Sequence, residues 1–449
     1  MKQIQLIFLA ILLKNATISA QTNPIITAWL QNTTVTARHY VKGNSVAIND
    51  ADLVNCQKIQ YDANNLYVTT TGLPSYVTGP FLDKNPSVAT NQKAIFKFPL
   101  TPLKNTGTLK STTGGNIGVF INGVALFDYR DGVAWNAATN SLCGGPGNPA
   151  CPGGMGATQA WNRDAVLAER GGFDCAKAHP AMGNYHHHQN PSAFDLDIKV
   201  LSTVCSLYDA DGLYAIDSKK HSPLIGFAYD GFPIYGAYGF KNADGTGGIV
   251  RIKSSYALNG ATKRANGPDV NATYPDGYFR EDYKYTATSS ATPDFLDEHN
   301  GRFCITPEYP KGTYCYFATV DDNWNSTYPY CVGPTFYGQY TASKVATVPS
   351  GTSTYATVAD NDIDFETVQI KVFPNPSSET IVVQLVDINK ENLKVELFDI
   401  TGKLVATTDL LQGSTIAYFE TNTLYNGQYI IKIANKKGII TKKIIVNKL

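Results

Sequence analysis

The chain has 449 residues with Lys plus Arg and Asp plus Glu balanced at 37 each, so no global field draws it to nucleic acid or anionic lipid. Charged residues make up only 16%, whereas Tyr reaches 27 and Gly 38, which argues against helical bundles and disorder and for an extracellular, turn-rich β protein. At ~100–200 residues per domain, the length allows two or three domains with cores of their own.

Met1-Lys2-Gln3, the apolar run Ile4 to Leu13 and then Ser19-Ala20-Gln21 have the layout of a secretory signal peptide over residues 1–20, with cleavage between Ala20 and Gln21. The run is roughly half the ~20 residues that span a bilayer, and Lys14 and Asn15 interrupt it. No later segment is long and apolar enough to cross. The mature chain is therefore expected to be secreted or attached to the cell surface.

Residues 21–345 form one long Cys-containing, aromatic-rich region, expected to be a β-sandwich-like domain with few helices. Asn116 to Asp128 reads as a hairpin around Asn122-Gly123, a pair suited to a two-residue type I′ turn. All eight cysteines precede residue 340, and an even count in an exported chain favours disulfides over metal thiolates. Cys143 and Cys151 enclose the flexible loop GGPGNPA and are the first expected pair. Cys304 and Cys315 are the next local pair, as cross-strand neighbours, with Cys331 as a competitor. Trp161 to Gly172 is the best helix candidate, with Glu and Arg on one side and Gly171-Gly172 as its stop.

Five of the seven histidines lie between residues 179 and 221, and three are consecutive in Tyr185-His186-His187-His188. On an extended strand His186 and His188 point to one face and His187 to the other. Two imidazoles at this spacing can share a metal, with further ligands among His179, His221 and Asp230; a His-rich extracellular site suits copper or zinc. The bland alternative is a core in which Tyr hydroxyls and backbone carbonyls satisfy the rings. Tyr185, His187, Tyr235, Asp195 and Asp197 are candidates for orienting the ligands from behind. Phe227 to Phe240 reads as short strands whose Gly231, Pro233 and Gly236 project Asp230 and Tyr235 from a rigid frame. Asp297-Glu298-His299 is a second polar cluster, read first as a solvated turn. The segments 209–212 and 242–245 read as exposed turns rather than calcium loops. Serine-hydrolase elbows, His-Glu-x-x-His and phosphate-binding glycine loops are absent.

Residues 346–366 read as a Ser/Thr/Val/Ala linker. Residues 367–449 contain no Cys and alternate apolar with polar positions, as in Thr380 to Leu385, Lys394 to Phe398 and Gly427 to Ile433. Six or seven such short strands make a small antiparallel sandwich.

Val372-Phe373-Pro374-Asn375-Pro376, Leu397 to Lys403, Leu424 to Tyr429 and the Lys-rich last strand resemble the C-terminal sorting domain of type IX secretion cargo. That resemblance implies passage through the periplasm and outer membrane, with the secretion machinery as partner. Tyr185 to His188, Tyr229 to Gly236, Ile121 to Val124, Leu296 to Phe303 and Pro307 to Tyr314 resemble the YHYH domain family over about residues 95–340, with His187 where the family's motif has Tyr. The resemblance names the domain but not a reaction. Three functions stand open: a secreted protein whose His pocket takes a divalent metal or small ligand, a metal-dependent extracellular enzyme using that pocket, and a surface adhesion or structural module.

Overall fold

The computed structural model describes residues 23–41, 46–81, 88–154, 159–191, 218–340, 344–355, 370–385, 393–410, 415–434 and 439–448. The expected signal peptide with its Ala20–Gln21 cleavage point, Asp195, Asp197 and the turn at 209–212 lie outside these residues. The chain divides into two compact units, residues 1–355 and 356–449, and the structure is mainly β.

The first unit is organised by an eight-stranded mixed sheet. Its strands are β1 (Asn116–Phe120), β2 (Ala125–Phe127), β3 (Ala178–Ala181), β4 (Asn184–His187), β5 (Leu224–Ala228), β6 (Pro233–Tyr235), β7 (Gly301–Cys304) and β8 (Thr313–Phe317), in the order β3-β4-β2-β1-β5-β6-β8-β7. A four-stranded sheet is built from Ser353–Tyr355, Cys56–Tyr61, Asn65–Thr70 and Ala94–Pro99. Strict alternation in the last of these buries Ala94, Phe96 and Phe98 and turns Lys97 outward. Ile59, Leu66, Val68, Phe96 and Phe98 share one core with Val119, Phe227, Ile234, Tyr316 and Phe317 of the large sheet. Each such side chain contributes about 1.5–3 kcal/mol on burial.

Two local expectations are corrected. The hairpin joining β1 and β2 forms, but its turn is not type I′. Gly123 N–H bonds the Phe120 carbonyl, Phe120 N–H bonds the Val124 carbonyl, and of the central residues Gly123 has positive φ (79°). This is the three-residue form that ends in a left-handed glycine. The expected helix over 161–172 is mostly something else. Asn162–Asp164 is a strand paired with Arg130–Asn136, α1 spans Ala165–Glu169, and Arg170–Gly172 is a single 3-10 turn. The Asp164 carboxylate accepts from Val166 N–H (2.8 Å) and Leu167 N–H (3.4 Å), so the helix starts at this cap, and Gly171-Gly172 ends it. Five residues are too few to persist without tertiary support.

Cys143 and Cys151 are disulfide-bonded, as their loop implies, and Cys175 is disulfide-bonded as well. Cys304 and Cys315 are free thiols, as are Cys56 and Cys331. The expected Cys304–Cys315 bond is thus not formed in this structure, because β7 and β8 set Cys304 opposite Thr313 and Cys315 opposite Arg302, a diagonal rather than a direct pair.

Among the described residues of the second unit, seven strands form two sheets: Ile370–Phe373, Thr380–Leu385 and Ile416–Glu420 in one, and Leu404–Leu410, Leu393–Asp399, Gly427–Ala434 and Ile439–Val446 in the other. Ile381, Val383, Val395, Leu397, Phe419, Ile431 and Ile433 fill the space between them.

Candidate metal centre

The site is made by a two-residue turn. Met182 and Gly183 both have positive φ (49° and 82°), the type I′ requirement, and a Cβ on Gly183 would fall 2.1 Å from Thr90 Oγ1. This turn pairs Ala181 with Asn184, and the register then sets Pro180 opposite Tyr185 and His179 opposite His186. Directly opposed residues share a face, and the period of two adds His188 to it. His179, His186 and His188 are all buried, and each offers one ligand atom within 4.8 Å of the others.

A fourth group closes the set. Glu169, the last residue of α1, places Oε2 3.2 Å from His179 Nε2 and 3.4 Å from His188 Nε2. It is the more open member, its side chain 23% exposed. Phe127 stacks on the His186 ring at 3.8 Å, and Phe173 lies edge-on to His179 and parallel to His188, so aromatic carbon walls the polar atoms.

Backbone carbonyls fix the tautomers. His186 Nδ1 lies 2.8 Å from the Asn184 carbonyl, and His188 Nδ1 lies 2.6 Å from the Asp128 carbonyl. A carbonyl only accepts, so both Nδ1 atoms carry hydrogen and both Nε2 atoms of the neutral rings present lone pairs. Those two Nε2 atoms face one another at 3.1 Å. A proton or a cation must lie between them. Burial, followed by the neighbouring His188 and His179, presses the His186 imidazole well below its ordinary range, against the proton. Burial works to raise the Glu169 carboxyl, but the adjacent His179 and His188 prevail and hold it well below the usual carboxylate range. A tetrahedral ion with ligands at about 2.0–2.1 Å sets them roughly 3.3 Å apart. Three contacts, at 3.1, 3.2 and 3.4 Å, fit that edge, while the three histidine ligand atoms together span up to 4.8 Å.

The reverse face is structural. Tyr185 donates to Asp174 Oδ2 (2.8 Å), while His187 bonds the Lys177 carbonyl through Nδ1 and takes the Tyr76 hydroxyl at Nε2 (3.0 Å). Burial pushes His187 down to about 3, so it is neutral. Tyr185 and His187, expected to orient the ligands, instead anchor β4 from behind; the Asn184 and Asp128 carbonyls do the orienting.

Residues 95–332 match the model of a family described as YHYH protein, a span of more than half the chain that includes every residue of this cluster. The chain belongs to the YHYH protein family. Residues 371–447 match the secretion system C-terminal sorting domain, which corresponds to the seven-stranded second unit. This YHYH protein is therefore cargo of type IX secretion, exported to the cell surface or the extracellular space, and its sorting domain engages that machinery. No curated protein matches the chain. No described helix is long and apolar enough to cross a membrane.

The remaining candidates lie elsewhere in the YHYH unit. His221 packs against Tyr235, Phe240 and Phe317, and its Nδ1 donates to the Ser222 carbonyl (2.8 Å). Asp230 accepts from Tyr316 O–H (2.6 Å) and Gly338 N–H (2.8 Å); burial pushes its carboxyl up to about 6 in spite of those donors. Tyr235 bonds Thr306 and Glu308. His221 and Asp230 are corrected as ligands and Tyr235 as their support: His221 just before β5, Asp230 in the turn between β5 and β6, and Tyr235 on β6 enter other polar and aromatic contacts. Glu169 escaped sequence reasoning. The available signal was a carboxylate on one side of the expected helix, just ahead of the His segment.

Proposed function

We propose that the YHYH unit is an exported binder of a divalent cation, copper or zinc, held by His179, His186 and His188 and closed by Glu169. One observation carries this reading: the two Nε2 lone pairs 3.1 Å apart, in rings whose Nδ1 hydrogens are already committed to carbonyls. Imidazole suits both metals, and a carboxylate completes a four-donor shell. That complement favours binding over catalysis, since a catalytic zinc keeps one position for water. It also weighs against an adhesion module, in which separated histidines would suffice. Metal analysis of tag-free protein, compared with the His186→Ala/His188→Ala variant, tests the proposal. Close to one equivalent in the wild type and a near-complete loss in the variant are expected. Equal content in both would sink it.

A further inference from the structure

The four donors of the candidate centre are not arranged as a tetrahedron. A tetrahedron has six equal separations, whereas a square has four short edges and two long diagonals. The ring centroids of His179 and His188 each lie 4.8 Å from that of His186 but 5.9 Å from one another, so His186 sits between them. Glu169 Oε2 meets the outer two, His179 at 3.2 Å and His188 at 3.4 Å. The donors follow one another round a ring, His179, His186, His188 and Glu169, with His179 opposite His188. The His186–His188 contact of 3.1 Å is a third short edge, and the 4.8 Å span of the histidine ligand atoms fits a diagonal.

From this ring we infer, resting on the metal reading above, that the centre is tetragonal and takes Cu(II) in preference to zinc. Four donors about 2.0 Å from an ion stand roughly 2.8 Å apart along the edges of a square and roughly 4.0 Å across it. A diagonal of 4.8 Å reaches that value when each of its two donors moves in by about 0.4 Å. Tetrahedral zinc would bring the same pair to roughly 3.3 Å, a closure of about 1.5 Å. Such a closure has to turn rings that are already held. His186 is tied to the Asn184 carbonyl and stacked on Phe127, and His188 is tied to the Asp128 carbonyl beside Phe173.

The donor chemistry points the same way. Three imidazoles and a carboxylate include no sulphur, the ligand that selects Cu(I). Tetragonal nitrogen and oxygen donors suit Cu(II) or Ni(II), and of the two Cu(II) binds the more tightly at any such set.

The test offers metal-stripped, tag-free protein one equivalent each of Cu(II) and Zn(II) in air, removes unbound metal, and reads metal content and the electron paramagnetic resonance spectrum. Copper outranks zinc at most sites, so the spectrum decides the geometry. Copper should fill one site per chain in about tenfold excess over zinc. Its signal should be axial, with g parallel above g perpendicular and the wide hyperfine splitting of a tetragonal centre. Zinc content equal to that of copper, the narrowed splitting of a flattened tetrahedron, or copper that gives no signal overturns the tetragonal assignment and leaves the metal reading standing. Uptake of neither metal overturns both.

Discussion

Glu169→Gln separates a metal ligand from a carboxylate that merely pairs with histidine. The substitution keeps shape and removes charge at an atom 3.2 Å and 3.4 Å from two Nε2 donors. Loss of a partner that only orients a ligand costs 10–100-fold in metal affinity, so a direct ligand should cost about 100-fold or more, or ~2.7 kcal/mol. At a free metal concentration near 100 times the wild-type Kd, binding stabilises the fold by about 2.7 kcal/mol, while the variant, then near its own Kd, gains only about 0.4 kcal/mol. An unfolding entropy of about 2.1 cal/mol/K per residue over roughly 330 residues converts these gains to Tm rises of roughly 4 °C and under 1 °C. Thermal unfolding of tag-free protein, with and without copper or zinc, reads the difference. A carboxylate serving only as counter-ion to imidazolium would leave three intact imidazoles after the change. Metal-induced Tm gains that match in the two proteins would refute the four-ligand reasoning.

Other expectations follow from the surroundings of the site. His187→Ala removes a ring from the back of β4 and leaves the Tyr76 hydroxyl unmatched; it should lower urea stability by about 2–4 kcal/mol while metal affinity stays within about threefold. A parallel collapse of affinity in folded variant would assign His187 to the site after all. Between about pH 4 and 6, Asp230, raised by burial from an ordinary 3.8 to about 6, holds a proton in the folded state that the unfolded chain has released. Its contribution is therefore present below about pH 4 and lost as pH rises through 6, by up to about 3 kcal/mol. Asp230→Asn should be less stable at neutral pH but lose less stability than wild type between pH 4.5 and 7.5; equal slopes in urea midpoints would show that Asp230 is ionised throughout.

Much of the fold was legible because strands advertise themselves at short range. The alternation of the last 80 or so residues is a local pattern, and seven strands appear there. The Cys143–Cys151 bridge was readable from a loop that cannot order itself. The β1–β2 hairpin was placed correctly, yet its turn was not, because Asn122-Gly123 satisfies both a two-residue and a three-residue loop. The helix over 161–172 failed because Asp164 caps partway through it and the preceding residues find a sheet partner.

The candidate centre divides along the same line. The alternation of His186 and His188 is a property of any strand and needs no tertiary knowledge. His179 was named among the candidates, but its place opposite His186 depends on a two-residue turn at Met182-Gly183, and Met is a poor advertisement for a left-handed turn residue. Glu169 was beyond reach, because nothing local says where a five-residue helix will dock. His221 and Asp230 misled for the matching reason: their chemistry was right, and the sheet order carried them off. The rings of His186 and His188 are steered by main-chain carbonyls, which any residue supplies. Position 187, facing the other way, then answers only to the core behind β4. A histidine bonded to Tyr76 can stand there in place of the family's tyrosine without touching the orientation of either neighbour.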